Sequence, residues 1–302
     1  MISYRVCYQF IYEYVNIYVV VLLSITITAK NEAPVISKVL NNIINQLKDI
    51  DYEMVLVDNW STDNTFEILE KYKSDNVRVF RYKGSKGNAR NFALKKAEGK
   101  YVLALDADQI YHNLNKFLED YFSSYSNYSV KIGRSSFPII APRNLLIEVG
   151  GWRNLQFAED WDLWFRLADE CKYIYLTGYD WVFGEHLRQH KNNPNVAKRL
   201  LRNIIKYRDL YIVGLPVNSF NLSSKFFYQF GKFLSIFSKE KRTKYNCIKY
   251  IEIPIFQGSI IDWDLQFHYN LIKYQLMACN NKEIFLRTLL QFDSYLKNIY
   301  NL

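Results

Sequence analysis

Asp106-Ala107-Asp108 directly follows an apolar run that reads as a strand, Tyr101–Asp106. Two carboxylates two residues apart, on a turn leaving a sheet, can grip a divalent cation. Mg²⁺ and Mn²⁺ favour such hard oxygen ligands and bridge the oxygens of a diphosphate. The ion would neutralise charge building on a nucleoside diphosphate leaving group. A turn or helix cap uses the same residue types, so Asp-x-Asp alone decides little.

Three further clusters carry chemistry. Glu159-Asp160 opens a helical pattern running to Leu167. Acidic residues suit a first turn because of the helix dipole. The functional reading makes Asp160 a general base that takes a proton from an acceptor hydroxyl, with Glu159 orienting it or touching the acceptor. Trp152, Trp161 and Trp164 offer sugar-stacking surface, with at least one expected in the core. Lys86-Gly87-Asn88-Ala89-Arg90-Asn91 places a flexible turn and two cations, Lys86 and Arg90, near a helix N-terminus, which suits phosphate. It lacks the Gly-Lys-Ser/Thr ending of a P-loop and is not GxGxxG, which argues against a dinucleotide site. His186, in Gly184-Glu185-His186-Leu187-Arg188, is a candidate third metal ligand, and Arg188 a candidate diphosphate contact. A surface histidine is the plain alternative.

The elements that must position these groups alternate. Val19–Thr28 is a β-branched run typical of a strand buried on both faces. Pro34 then suits a first helical turn, and Ile36, Val39, Leu40, Ile43, Ile44 and Leu47 repeat at helical spacing. Glu53–Asp58 is a second strand. Ser61-Thr62-Asp63 offers caps for a helix carrying Phe66, Leu69 and Tyr72. Val77–Tyr82 is a third strand, Gly87–Ala97 a third helix stopped by Gly99, and Tyr101–Asp106 a fourth strand. This order predicts a mostly parallel, Rossmann-like α/β sheet flanked by helices. Ligands bind such sheets beyond the carboxyl ends of the strands, where Asp58, Asp106 and the Lys30-Asn31-Glu32 turn should meet.

The remaining sequence bounds the class. The 302 residues, 49% hydrophobic and 23% charged, read as globular. Residues 1–182 hold 21 Lys/Arg against 22 Asp/Glu, whereas residues 183–302 hold 18 against 8. That basic second part predicts an anionic partner: phospholipid head groups, a diphosphate-linked acceptor or nucleic acid; no nucleic-acid reader motif is present. The plain alternative is an ordinary solvated basic surface. The four cysteines are far apart, so spacing indicates neither a zinc site nor a disulfide framework, and a reducing compartment fits. No stretch reaches the length of a membrane span, and no convincing signal peptide opens the chain. Met1–Tyr14 reads as an extra strand, an amphipathic anchor or a mis-chosen start. Past Asn192-Asn193-Pro194, a linker signal, Ala197–Leu210 is a basic amphipathic helix, Lys225–Phe237 is Phe-rich with lysines, and Ile272–Leu296 looks helical.

In this order the pieces resemble the family 2 glycosyltransferases of GT-A fold over about residues 22–190. The carriers are Thr28-Ala29-Lys30-Asn31-Glu32, the Asp58–Thr65 segment, Gly87 with Ala89-Arg90-Asn91, Ala97–Tyr101 leading into Asp106-Ala107-Asp108, Gly150-Gly151-Trp152, and Glu159-Asp160. The resemblance implies that Asp58 binds the nucleotide base. It also implies that Glu32 and the segment around Thr28 and Lys30 line the nucleotide pocket, with Ser61 and Asp63 in the second motif. Asp106 and Asp108 would hold the diphosphate through Mg²⁺ or Mn²⁺, with Ala107 between them in the nucleotide-sugar site. Asp160 would be the base of an inverting single displacement. Asn59, Trp60 and Asn64 depart from the pattern, which leaves the base open between uridine and guanosine. The absence of Gln-x-x-Arg-Trp argues against a processive synthase.

The resulting expectation has three parts: an N-terminal extension (1–21), a GT-A domain (22–190), and a basic, aromatic, mainly helical region (191–302). It is that of a cytoplasmic enzyme using a nucleotide-sugar donor and a glycan or lipid-linked acceptor, with peripheral contact at an anionic membrane as a further option. A polyprenyl-phosphate sugar synthase is a rival within the fold. A nucleotidyltransferase and a non-catalytic nucleotide-sugar-binding protein are rivals of other classes. The former is opposed by the absence of glycine after the first strand.

Overall fold

The computed structural model describes residues 22–123, 129–132, 138–176, 184–187, 195–215, 222–250, 270–280 and 286. Strands β1 (Leu23–Ala29), β2 (Tyr52–Asp58) and β4 (Tyr101–Asp106) are nearly continuous apolar runs, as strands covered on both faces require. They pair in parallel, with Ala29 opposite Asp58 and Thr28 opposite Asp106. Their carboxyl ends therefore share one rim, and Asp58 and Asp106 flank β1 there. Strand β3 (Val77–Arg81) joins β2 in parallel, with Arg81 opposite Asp58.

Beyond β4 the pairing changes direction. Strand β7 (Ile139–Pro142) runs antiparallel to β4 and to β6 (Ser129–Ile132), and β8 (Tyr173–Leu176) is parallel to β6. The seven-stranded order is β3-β2-β1-β4-β7-β6-β8. A two-stranded antiparallel ribbon pairs β5 (Gln109–Tyr111) with β9 (Gly184–His186).

The helices follow the expected periodicities. Helix α1 (Ile36–Gln46) buries Ile36, Val39, Leu40 and Ile43, the i, i+3, i+4, i+7 stripe. Helix α2 (Thr65–Glu70) has Asn64 at its cap position, without a side-chain bond from it. Asp63 does that work instead: its Oδ1 accepts from N and Oγ1 of Thr65 at 3.1 and 2.5 Å. Helix α3 (Lys86–Lys96) is capped by Ser85, whose Oγ accepts from the Asn88 amide at 3.1 Å. Helices α4 (Leu114–Ser123) and α5 (Arg143–Glu148) complete this half.

Helix α6 (Glu159–Asp169) is followed by α7 (Val196–Val213), α8 (Leu222–Ser235) and a short 3₁₀ turn, Cys247–Tyr250. Residues 270–278 are helical. The linker signal at 192–194 and most of the rest of Ile272–Leu296 lie outside the described residues. The basic region packs on the sheet half through buried polar ties. Asp209 accepts from the amides of Gln156 and Phe157 at 2.8 and 3.1 Å. Asp162 accepts from Tyr245 Oη at 2.6 Å, and Arg153 pairs with Glu240 at 2.9 Å.

One expectation is corrected. Cysteine spacing indicated no disulfide, yet Cys171 and Cys279 are bonded, with Sγ atoms 2.01 Å apart across 108 residues of sequence. Partners brought together by tertiary packing leave no local spacing signal. Cysteine usage therefore gives no support to a reducing compartment. Cys247 is free and buried.

Candidate active site

The rim turns after β1 and β2 lock together. Asn31 and Trp60 both hold left-handed backbone, φ 57° and 55°. The Asn31 amide donates to Ser61 Oγ at 2.9 Å, the Glu32 amide to Thr65 Oγ1 at 2.8 Å, and the Ala33 amide to Asp63 Oδ2 at 3.3 Å. Asn31 Oδ1 in turn accepts from the Thr62 amide at 2.8 Å. Thr28 and Asp63 are half-buried, Glu32 and Ser61 buried, and Lys30 exposed. The Asp58 carboxylate is fully buried. Both of its oxygens accept from the Ser61 amide at 3.2 Å, and Arg81 Nε lies 3.1 Å away. What faces solvent beside it is Arg81 and an indole: Trp60 is 49% exposed, with the Arg81 guanidinium 4.9 Å and Lys83 Nζ 5.7 Å from its ring centre.

Across β1, Asp106 is tied down from several sides. Its Oδ1 pairs with Arg90 Nη2 at 2.8 Å, its Oδ2 accepts from Gln109 Nε2 at 3.0 Å, and its amide donates to Tyr111 Oη at 2.7 Å. Burial, then the Asp106 charge, pushes the Tyr111 phenol well above its ordinary value, so it stays neutral. Asp108 is half-buried, Ala107 buried. The Asp108 carbonyl accepts from the Leu187 amide at 2.8 Å, and the ribbon sets His186 opposite Gln109. The side chain of His186 and all of Arg188 lie outside the described residues.

Arg90 joins the two acidic groups. It is 4% exposed, one turn into α3, and beside Asp106 it meets Glu159 at 3.5 Å and Asp160 at 3.8 Å. Lys86, at the first position of α3, pairs with Glu159 at 3.0 Å. Burial pushes the Lys86 ammonium down, but the Glu159 charge overrides this and holds it above its ordinary value. Both cations expected near phosphate thus lie among carboxylates. Their approach depends on Gly87, because a Cβ there would come within 1.9 Å of the Arg153 carbonyl oxygen.

Asp160 differs from its neighbours. Burial raises its carboxyl to about 6, with Arg90 opposing and Glu159 adding to the rise. Trp152 Nε1 donates to its Oδ1 at 2.7 Å. The cap position just before helix α6 is Ala158, a left-handed non-glycine residue at φ 57°. Such strain costs about 1–3 kcal/mol and collects at functional sites. Trp152 and Trp164 are buried in the core, which removes two of the three proposed stacking surfaces; Trp161 is half-buried.

The structure therefore brings Asp106, Glu159, Asp160, Lys86 and Arg90 together and sets Asp58 on the far side of β1. Sequence reasoning passed over Arg81, Gln109 and Tyr111. A cation opposite Asp58 in the register of β3 was the available signal for the first. The other two had none, since β5 carries only three residues. Among the described residues no group of three or more His, Cys, Asp and Glu side chains is arranged to hold a metal ion by itself. Mg²⁺ in nucleotide sites is commonly held by one or two carboxylates, with phosphate oxygens and waters completing the sphere, so the hard oxygens of Asp106 and Asp108 fit such an ion.

A mostly parallel sheet with these acidic groups at its carboxyl rim defines the GT-A fold class. The solved mannosyltransferase PcManGT from Pyrobaculum calidifontis, in complex with GDP-Man and Mn²⁺, superposes with a TM-score of 0.51 at 16% identity, over 92% of this chain and 87% of that one. At that identity the likeness speaks to the fold. Residues 24–130 of the chain match the model of glycosyl transferase family 2. The poly(ribitol-phosphate) beta-N-acetylglucosaminyltransferase TarS of Staphylococcus aureus is 40% identical over 83 residues, 26% of this chain and 14% of that protein. The UDP-Glc:alpha-D-GlcNAc-diphosphoundecaprenol beta-1,3-glucosyltransferase WfaP of Escherichia coli is 30% identical over 148 residues, 39% of this chain and 59% of that protein. The match thus spans a minor part of TarS and somewhat over half of WfaP.

Proposed function

We propose that the chain transfers one sugar from a nucleotide-diphosphate sugar to an acceptor hydroxyl, by single displacement. The observation that carries this reading is the meeting of Asp106 and Asp160 on one buried guanidinium, Arg90. The first lies where a diphosphate would leave, the second where an acceptor would be deprotonated. Asp106 and Asp108 would hold Mg²⁺ or Mn²⁺, which supplies neutralisation of the leaving diphosphate when bound. His186 is kept as a proposed third ligand.

This chain's own residues do the rest. The raised carboxyl of Asp160 ionises near neutral pH, the range in which a general base works best. Trp152 fixes the carboxylate's direction and leaves Oδ2 for the acceptor proton. Arg90 keeps the clustered charges together at the moment a further negative charge arrives. Lys86 fixes Glu159 beside the base. The locked turns at Asn31–Ala33 and Asp58–Asp63 form the nucleotide end, where Trp60 offers an exposed ring for a base.

The relatives' names support an anionic acceptor: one acts on a poly(ribitol-phosphate), another on a diphosphoundecaprenol-linked sugar. The basic composition of residues 183–302 agrees with either. The test is transfer from labelled UDP- and GDP-sugars to these two acceptor classes with Mn²⁺ present. Transfer that requires Asp160 supports the reading. No turnover of any donor, together with no metal-dependent nucleotide binding, overturns it.

A further inference from the structure

Helix α8 presents an apolar face that the fold does not use. Its inner side packs on α7: Phe227 stacks on Tyr207 with ring centres 6.1 Å apart, Tyr228 Oη donates to the Leu215 carbonyl at 3.0 Å, and Gly231 meets the α7 backbone. A Cβ at Gly231 would lie 2.5 Å from the Arg208 amide nitrogen, so this side is pressed close. The opposite side carries Phe226, Phe230 and Phe233, spaced i, i+4, i+7 on one stripe of the helix, and Phe237 continues the line in the turn just past Ser235. These rings stand 66%, 40%, 55% and 75% exposed, and neighbours along the stripe lie 5.8 to 6.5 Å apart. Ile236, at 67%, widens it.

Four exposed phenylalanines in one line are costly in water, and a contiguous apolar patch of this kind marks a surface that meets something. The charge around it states what. Lys225 and Lys232 each precede a stripe residue by one position, so they stand about 100° to one side of it. Lys239, Lys241 and Arg242 follow directly, all exposed. Across residues 222–250 Glu240 is the sole acid, and it is already tied to Arg153. An aromatic stripe bordered by lysines, without free acids, has the make-up of a helix that lies in the head-group plane of an anionic bilayer.

We propose that α8 seats the chain on an anionic phospholipid surface, with the Phe226–Phe237 stripe in the interface and the lysines on the lipid phosphates. The proposal rests on this face alone and stands apart from the transferase reading. It is tested with the full chain and vesicles of phosphatidylcholine, with and without phosphatidylglycerol, at low and high salt. The chain is expected to co-sediment with the phosphatidylglycerol vesicles and to bind the neutral ones at least about tenfold more weakly, with binding falling as salt rises. Replacing all four rings (Phe226→Ser, Phe230→Ser, Phe233→Ser, Phe237→Ser) is expected to abolish sedimentation without lowering the unfolding temperature, because the rings face outward. Should that variant not fold, Lys225→Glu with Lys232→Glu decides the matter, by an expected tenfold or greater loss. Equal binding of wild type and the folded variant, or no vesicle binding, overturns the proposal. A dimer in light scattering that the ring variant dissolves, without vesicle binding, assigns the stripe to a second copy. Protection of the stripe from labelling in the free monomer assigns it to the chain itself. Both results contradict lipid docking.

Discussion

Trp152 Nε1 donates to Asp160 Oδ1 at 2.7 Å from an indole that is almost wholly buried. The bond fixes one carboxylate oxygen of the proposed base and leaves the other to work. It also explains why Gly150 and Gly151 precede Trp152, since both hold left-handed backbone, φ 86° and 61°, that delivers the ring to this place.

Asp160→Asn should keep the fold and lose about 10²–10⁴-fold in kcat, the usual worth of a general base. With wild type, kcat/KM should rise through a limb near pH 6, because the base works ionised and its carboxyl sits at about 6. The linked stability runs the other way. The unfolded carboxyl titrates near about 4, below the folded one, so the native state holds the proton longer and stability falls as pH rises from about 4 to 6. A pH–rate profile and pH-dependent denaturation check the two arms.

Arg90→Met should move that limb to higher pH. The guanidinium holds the Asp160 carboxyl down against burial and against Glu159, and its loss leaves three carboxylates facing each other. Uncompensated buried charge costs about 3–5 kcal/mol, so the variant should also unfold more easily. A limb that stays near 6 in folded variant contradicts the coupling.

Asp162→Ala tests a carboxylate that the proposed chemistry does not use. Asp162 is fully buried and ties Arg153, Arg166 and Tyr245 at 2.8, 2.8 and 2.6 Å. Removing it takes the shared carboxylate from Arg153, which keeps Glu240, and from Arg166, which keeps backbone carbonyls, and about 3 kcal/mol of stability should go. Denaturant unfolding measures this, with activity lost only in step with the folded fraction.

Two glycines separate crowding from strain. Gly87→Ala pushes a methyl against the Arg153 carbonyl oxygen and should cost about 3 kcal/mol or more, opening the gap between α3 and α6. Gly150→Ala meets only Arg166 Nη1, at an ordinary contact distance of 3.8 Å, and should cost about 1–2 kcal/mol for its backbone alone. Equal costs would contradict the close packing of α3 on α6.

Much of this was legible in the residues. The apolar runs ending in Asp58 and Asp106 gave strands nearly to the residue, because a strand covered on both faces has to be continuously apolar. Strand order placed Asp58, Asp106 and the Lys30-Asn31-Glu32 turn at one rim, but not the agent that joins Glu159 and Asp160 to Asp106, a buried Arg90 that was expected to face phosphate. Asp58 was the residue read least well. Sequence shows a carboxylate at a strand end, but not the Arg81 that covers it from β3. The Cys171–Cys279 bond and the ribbon from β5 to β9 escaped for the same reason: long-range pairing leaves no periodicity in either partner.

The most direct test of the central claim is the thermal stabilisation of the full chain by UDP- and GDP-sugars with Mn²⁺, since ligand binding to the native state adds RT ln(1 + [L]/Kd) to its stability. The account predicts a rise in unfolding temperature with at least one donor that needs the metal and disappears in Asp108→Asn, while Asp160→Asn retains it. A rise that persists unchanged in Asp108→Asn without metal, or no rise with any donor, would contradict it.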